Sequence, residues 1–350
     1  MKTGKALQDI AAELDRRSKA KRDFVAPSRE LSVVQAEMGF ELRVNGQGDF
    51  GIKETAHEQV AGRLGIPKSY YDRMRQDAPE LLTRNVNHWL ASGRDLRMVR
   101  TLDGQARALL SNRYRPLDDD ALAEAVLPAL ASSGCSVESS EITDRRMYIK
   151  AVSPRLTFEV RKGDVVQAGL VISNSEVGMG GVRVEPLIYR LVCLNGMIVQ
   201  DHSLRKYHIG RGFGDEDEGA QELYRDETRE ASDKAFFLKV RDTVMGSLQR
   251  DVFEATARRM TQAASEAITG DPVKVVEAVQ KRLGLNDGER GGVLSHLIRG
   301  GDLTRYGLLN AVTRASQDVP DYDRATDMER MGGVVLELPQ RDWKALAEAK

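Results

Sequence analysis

LTFEVRKGDVVQAGLVISN (156–174) decides how this chain is read. Two runs rich in Val, Leu, Ile and Phe flank Arg161-Lys162-Gly163-Asp164, whose glycine permits a tight reversal, so the stretch predicts an antiparallel hairpin. Its neighbours repeat the pattern: CSVESSEI (135–142) and RRMYIKAV (145–152) before it, VRVEPLIYRLVCLNGMIV (182–199) after it, with Asn195-Gly196 read as another turn. Further upstream, LRMVRTL (96–102) and RALLSNRY (107–114) are joined by Asp103-Gly104, a strong hairpin signal. The helix LDDDALAEAVLPAL (117–130) follows, with aspartates in its first turn where the helix dipole favours negative charge. Hairpins interrupted by a helix argue for an α+β fold, an antiparallel sheet with packed helices, and against a doubly wound parallel sheet.

Working outward, LSVVQAEM and FELRVN (31–45) predict two strands around a polar turn. Residues 54–92 switch to helical spacing: Ala56, Val60, Ala61 and Leu64 share a face, Gly65 ends that helix, and Pro67 suits the first turn of the next. QVAGRLGIPKSYYDRM therefore has two readings, a DNA-reading helix-turn-helix and a pair of small helices packed on a sheet. At the amino terminus, Leu7, Ile10, Ala11 and Leu14 predict a short helix followed by a basic linker. Beyond the acidic run Asp215–Glu218, Phe236, Val240, Val244, Leu248, Val252, Met260, Ala264 and Ile268 form one long apolar stripe, ended by Gly270-Asp271-Pro272. Three shorter helices come next, and MERMGGVVLELPQRDWKALAEA reads as a strand and a terminal helix. The expected organisation is a basic N-terminal helix and linker (1–30), an α+β domain with an antiparallel sheet (31–213) and a mainly helical C-terminal domain (214–350).

The 350 residues are 41% hydrophobic and 30% charged, with 52 Lys+Arg against 53 Asp+Glu, an ordinary globular composition. A net charge of -1 argues against a globally basic nucleic-acid binder and leaves a local basic groove open. No apolar run approaches the roughly 20 residues of a membrane span, and no signal-type stretch opens the sequence, so a cytoplasmic protein without membrane contact is expected. Two cysteines, Cys135 and Cys193, rule out a disulfide framework or a four-cysteine zinc site.

Signatures for familiar catalysis are missing. There is no GxxxxGK[ST] loop, no GxGxxG after a strand, and no HExxH or GxSxG, so no classical catalytic site and no cofactor are expected. A metal-dependent nuclease would need clustered carboxylates, and Asp118, Asp119, Asp120 and Glu124, or the run Asp215–Glu218, are its candidates. Helix-start charges and a solvated acidic linker are the plainer accounts of those two groups. Cys193, His202 and His208 fit no standard zinc spacing.

What remains is basic and aromatic. Arg113-Tyr114-Arg115, Arg183, Tyr189-Arg190 and HSLRKYHIGRGF (202–213) interleave cations with rings, as single-strand binding requires. The proposed groove uses Arg113, Arg115, Arg183, Arg190, Arg205, Lys206, His208 and Arg211, with Tyr114, Tyr189 and Tyr207 as stacking candidates. The bland alternative is a solvated loop and strand arginines paired with the abundant carboxylates.

Three blocks carry a resemblance: LSNRYRPLDDDAL (110–122), the run from VISNSEVG through RLVCLNGM to His208 (171–208), and TRYGLLNAVTRAS (304–316). Their order and spacing, and ETAHEQVAGRLGIPKSYYDRM (54–74) before them, resemble the phage and plasmid proteins called domain of unknown function 932. That resemblance implies a mobile-element setting. The order of hairpins and helix is also similar to that of phage single-strand annealing recombinases, an analogy of fold and context. The expected function is an oligomeric protein that binds single-stranded DNA (or RNA), serving ATP-independent annealing or recombination. A protein-interaction or counter-defence factor docking through the stripe Phe236–Ile268 is the alternative, and a metal-dependent nuclease the third.

Overall fold

A computed structural model describes residues 1–37, 39–114, 116–199 and 226–349. The chain opens with helix α1 (Leu7–Ala20), then strand β1 (Arg22–Pro27). Strands β2 (Leu31–Ala36), β3 (Gly39–Val44) and β4 (Gly48–Ile52) lead into helices α2 (Glu54–Arg63), α3 (Lys68–Asp77) and α4 (Pro79–Ser92). The hairpin β5 (Leu96–Leu102) and β6 (Gln105–Ser111) turns at Asp103-Gly104, both at positive φ, as the sequence predicts. Together these strands form a six-stranded sheet in the order β1-β5-β6-β4-β3-β2.

Two expectations change here. The stretch read as a basic linker is strand β1, held because its whole length pairs antiparallel with β5, from Arg22 opposite Thr101 to Pro27 opposite Leu96. The sheet is mixed rather than antiparallel throughout, because β4 runs parallel to β6. The chain makes that pairing after crossing over through α2, α3 and α4, the kind of long connection that parallel neighbours require. Val60, Ala61, Tyr71, Met74, Leu82 and Val86 of these helices are buried with Val33, Leu42, Val99 and Leu109 of the sheet. The two-helix segment 59–74 is thus packed on a sheet.

Helix α5 (Asp119–Ser132) leads to the second sheet: β7 (Ser136–Ile142), β8 (Met147–Arg161), β9 (Asp164–Asn174), β10 (Arg183–Arg190) and β11 (Asn195–Ile198), antiparallel in the order β11-β10-β9-β8-β7. Its centre is covered on both faces. Ile149, Ala151, Leu170 and Ile172 pack with Leu122 and Val126 of α5. Tyr148, Val152, Val171 and Ile198 face Tyr322 on the opposite side. Burial on both faces explains why AGLVISN is a continuous apolar run instead of an alternating one. Asn195-Gly196 is not the turn: the reversal lies at 191–194, with Leu194 at φ 53, and Asn195 begins β11.

The C-terminal part is helical: α6 (Asp226–Ser247), α7 (Arg250–Ala263), α8 (Pro272–Leu283), α9 (Asp287–Gly300), α10 (Arg305–Ala315), α11 (Tyr322–Glu337) and α12 (Gln340–Ala347). The long stripe is two helices, because the chain leaves helical geometry at Gln249 (φ -74, ψ 135). Val240 and Val244 are buried against α5 and the second sheet, and Phe253 and Met260 lie in the C-terminal core. Phe236 and Leu248 of the stripe are partly buried against the packed residues of α5 and the second sheet. GVVLEL, read as a strand, is the end of α11. Asp321 caps that helix by accepting from Arg324 N, and its apolar run is buried on several sides.

Among the described residues, no helix is long and apolar enough to cross a membrane.

Candidate functional site

Arg100 and Arg107 are charged residues inside otherwise apolar strands, β5 and β6. A buried cation is tolerated only with partners, so both must find them. Arg100, with none of its surface exposed, directs Nε to the Asp23 carboxylate (3.0 Å), Nη2 to Asp118 Oδ1 (2.7 Å) and Nη1 to the carbonyl of Glu176 (2.8 Å). Burial works against its charge, and the hydrogen bonds and charges of Asp23 and Asp118 more than offset this, raising its pKa. Lys21 Nζ lies 2.7 Å from Asp118, 3.2 Å from Asp120 and 3.8 Å from Glu176. Burial disfavours this ammonium too, and Asp118, Glu176 and Asp120 outweigh it, so its pKa is raised.

Glu176, in the VISNSEVG block, ties these elements together. One oxygen accepts from the backbone N–H of Asp119 at 2.9 Å, satisfying a free donor in the first turn of α5. The other accepts from Arg107 Nη1 at 2.7 Å. Asn174 donates to the Leu117 carbonyl (2.7 Å) and to Asp119 Oδ1 (2.8 Å). Burial, with the adjacent Glu176 charge, pushes the Asp119 carboxyl well above the ordinary carboxylate range.

Above these residues opens a cleft of about 160 Å³. Its wall is made by Arg16 and Arg17 of α1, Lys53 at the start of α2, Asp103 and Arg107 of the hairpin, the β7–β8 turn with Asp144, Arg145 and Arg146, and the carboxyls of Asp119 and Glu176. Six cations thus meet four carboxyl groups, and Asp119 is disposed to be protonated. The rim cations are paired: Arg16 with exposed Asp103 (2.8 Å), Lys53 with exposed Asp144 (3.7 Å), Arg145 with half-buried Glu58 (2.8 Å), and both Arg16 and Arg17 with half-buried Glu13 (2.7 and 2.6 Å). Arg107 differs. Its side chain is 9% exposed, yet Nε and Nη2 have no partner among the described residues.

The nuclease candidates fall beside this cleft. Asp118, Asp120 and Glu176 bring carboxylate oxygens within 4.8 Å of one another and could ligate a cation. The Lys21 ammonium already sits among these three groups, which accounts for the cluster. Asp119, with Asn174 on one oxygen, belongs to the helix start, and the run Asp215–Glu218 lies outside the described residues.

The three sequence blocks pack on one another. Asn174 of the second meets Leu117 and Asp119 of the first, and Asn195 donates to Asn310 Oδ1 (3.2 Å) and Thr313 Oγ1 (2.6 Å) of the third. The family described as a domain of unknown function (DUF932) matches residues 107–330. The chain belongs to that family. Its DUF932 match begins at the cleft arginine, Arg107, and ends in α11, so Arg16, Arg17, Lys21 and Lys53 are supplied from outside the matched residues. No curated protein and no solved structure matches the chain.

Within this DUF932 chain the predicted groove residues are dispersed. Arg190 makes a two-pronged pair with Asp164 (2.7 Å for each contact), which also accepts from Tyr306 OH (2.9 Å), locking β9 and β10 to α10. Tyr189 packs beside the core of Met1, Tyr148 and Tyr322, and burial raises its pKa. The Tyr114 ring packs against the Ala108, Leu110 and Val177 cluster and its hydroxyl donates to the Ser175 carbonyl (3.0 Å), so it braces the cleft and is not free to stack. Arg190, Tyr189 and Tyr114 thus each have partners within the fold. Arg113 is exposed at the end of the hairpin, and Arg183 is half-buried at the start of β10. Arg115, Arg205, Lys206, Tyr207, His208 and Arg211 lie outside the described residues, as do His202 and His208 of the zinc reading. The sequence reading missed Lys21, Arg100, Arg107 and Glu176. The available signal was an arginine within each of two apolar strands, LRMVRTL and RALLS.

Proposed function

We propose that this protein binds single-stranded nucleic acid, DNA or RNA, along the rim of the cleft, as a homo-oligomer serving ATP-independent annealing in a phage or other mobile element. The observation that carries the reading is the convergence of Arg16, Arg17, Lys53, Arg107, Arg145 and Arg146 on one cleft in a chain whose net charge is only -1. Binding follows where charge sits, and a concave basic surface concentrates its field. The carboxylates of Asp103 and Asp144, opposite Arg16 and Lys53, are exposed, and exposed ion pairs are worth about 0–1 kcal/mol, so exchanging them for phosphates costs little. The strand path moves accordingly from the β10 surface to the junction of α1, the β5–β6 hairpin and the β7–β8 turn.

The test is size-exclusion light scattering of nuclease-treated protein with a labelled single-stranded oligonucleotide at low and moderate salt. The expected outcome is a large assembly that takes up the oligonucleotide and releases it as salt rises, since neutralised phosphates release counterions. A small species that ignores the oligonucleotide contradicts the reading.

A further inference from the structure

At the floor of the cleft, Arg107 presents an unusual edge. Nη1 is committed to Glu176 at 2.7 Å, while Nε and Nη2, neighbouring N–H groups on one side of the planar guanidinium, are buried without partners among the described residues. That pair of donors is the fork that grips two oxygens of one anion. Leaving both unmatched in a buried place is costly, each on the order of 1–3 kcal/mol. Arg107 lines the cleft, whose volume of about 160 Å³ is about ten times the roughly 15 Å³ that one water needs.

We propose that this floor is a pocket for a single phosphate group, which Arg107 grips through Nε and Nη2, and that its ligand is the terminal phosphate monoester of a strand lying on the rim. The proposal rests on the strand-binding reading for the strand and on Arg107 for the pocket. Arg146, the second cation deep in the wall, donates to the Met179 carbonyl and is held in place beside the opening. Asp119 faces the same space. Burial, with the adjacent Glu176 charge, raises its pKa, which lowers the repulsion an incoming anion would meet. A terminal phosphate suits an enclosed floor better than an internal diester, because only one end of it continues into chain.

Fluorescence anisotropy with oligonucleotides of one sequence, bearing a 5′-phosphate, a 3′-phosphate or hydroxyls at both ends, tests this, with inorganic phosphate as competitor. One terminally phosphorylated strand is expected to bind about tenfold tighter than the hydroxyl strand, about 1.4 kcal/mol. Inorganic phosphate should abolish that increment alone. Arg107→Lys keeps a cation for Glu176 but lacks the fork. It is expected to fold with a wild-type thermal transition and to bind the phosphorylated and hydroxyl strands equally, so that the increment between them is lost. Equal binding of all three strands by the wild type overturns the pocket while the strand-binding reading stands. If no strand binds, yet inorganic phosphate raises the thermal midpoint of the wild type and not of Arg107→Lys, the rim reading and the strand terminus as ligand both fail, and the pocket serves free phosphate compounds.

Discussion

The His57 imidazole is buried under Phe40 and shares a 2.8 Å hydrogen bond with the Tyr71 hydroxyl. Burial, reinforced by the Arg75 charge, lowers its pKa from 6.5 to about 4. The folded state therefore binds fewer protons than the unfolded state between those values. His57's contribution to stability is complete above pH 6.5 and falls away as pH drops toward 4, by about 3 kcal/mol in all. Urea unfolding of His57→Asn, whose amide can still meet Tyr71, should lack that part of the acid sensitivity. Parallel pH profiles for the two proteins would contradict the assignment. Asp119 has the opposite sign: its raised pKa favours the protonated form in the fold, so its contribution is lost as pH rises through that value.

Among elements, the contact of β8 with α11 joins the second sheet to the helical region. Lys150 and Glu329 are both fully buried, 2.6 Å apart, and Lys150 also donates to Thr326 Oγ1 at 3.0 Å. Removing one partner strands the other charge, which typically costs about 3–5 kcal/mol, whereas replacing both by apolar residues can be near neutral. Lys150→Met alone should therefore be strongly destabilised, and Lys150→Met with Glu329→Leu should regain most of the loss in urea unfolding. A double variant less stable than the single one contradicts this. Nearby, a Cβ on Gly333 would lie 2.1 Å from the Ile198 carbonyl oxygen, so this glycine lets α11 approach β11. That approach explains the misread strand. GVVLEL shows no helical spacing because α11 is buried on several sides, and alternation or its absence reports burial as much as secondary structure. The β5–β6 hairpin was legible because Asp103-Gly104 fixes its turn locally. The parallel pairing of β4 with β6 was not, since it depends on a crossover through three helices.

At the scale of the molecule, the fold brings together residues far apart in sequence. Lys21, Arg100, Asp118 and Glu176 come from the first strand's approach, the first sheet, the start of α5 and the loop after β9. Each segment was visible in the sequence, and those of Asp118 and Glu176 carried the family resemblance, but nothing local reveals that Glu176 caps α5 and also holds Arg107. Interleaved cations and rings drew attention to the strand ends at 113–115 and 189–190, where pairing with carboxylates and packing occupy Arg190, Tyr189 and Tyr114. The basic rim instead joins α1 and Lys53 to the β7–β8 turn, about a hundred positions apart by the numbering. A strand lying on that rim would draw on Lys53 and Arg145, both in the cleft wall. The most direct measurement is the salt dependence of oligonucleotide affinity for the wild type, the Lys53→Ala/Arg145→Ala double variant, and Arg341→Ala, an exposed control away from the cleft. The account predicts weaker binding with a salt slope shallower by about 1.4 for the double variant, about 0.7 for each lost phosphate contact, and no change for Arg341→Ala. An unchanged slope in the double variant, with binding intact, would contradict it.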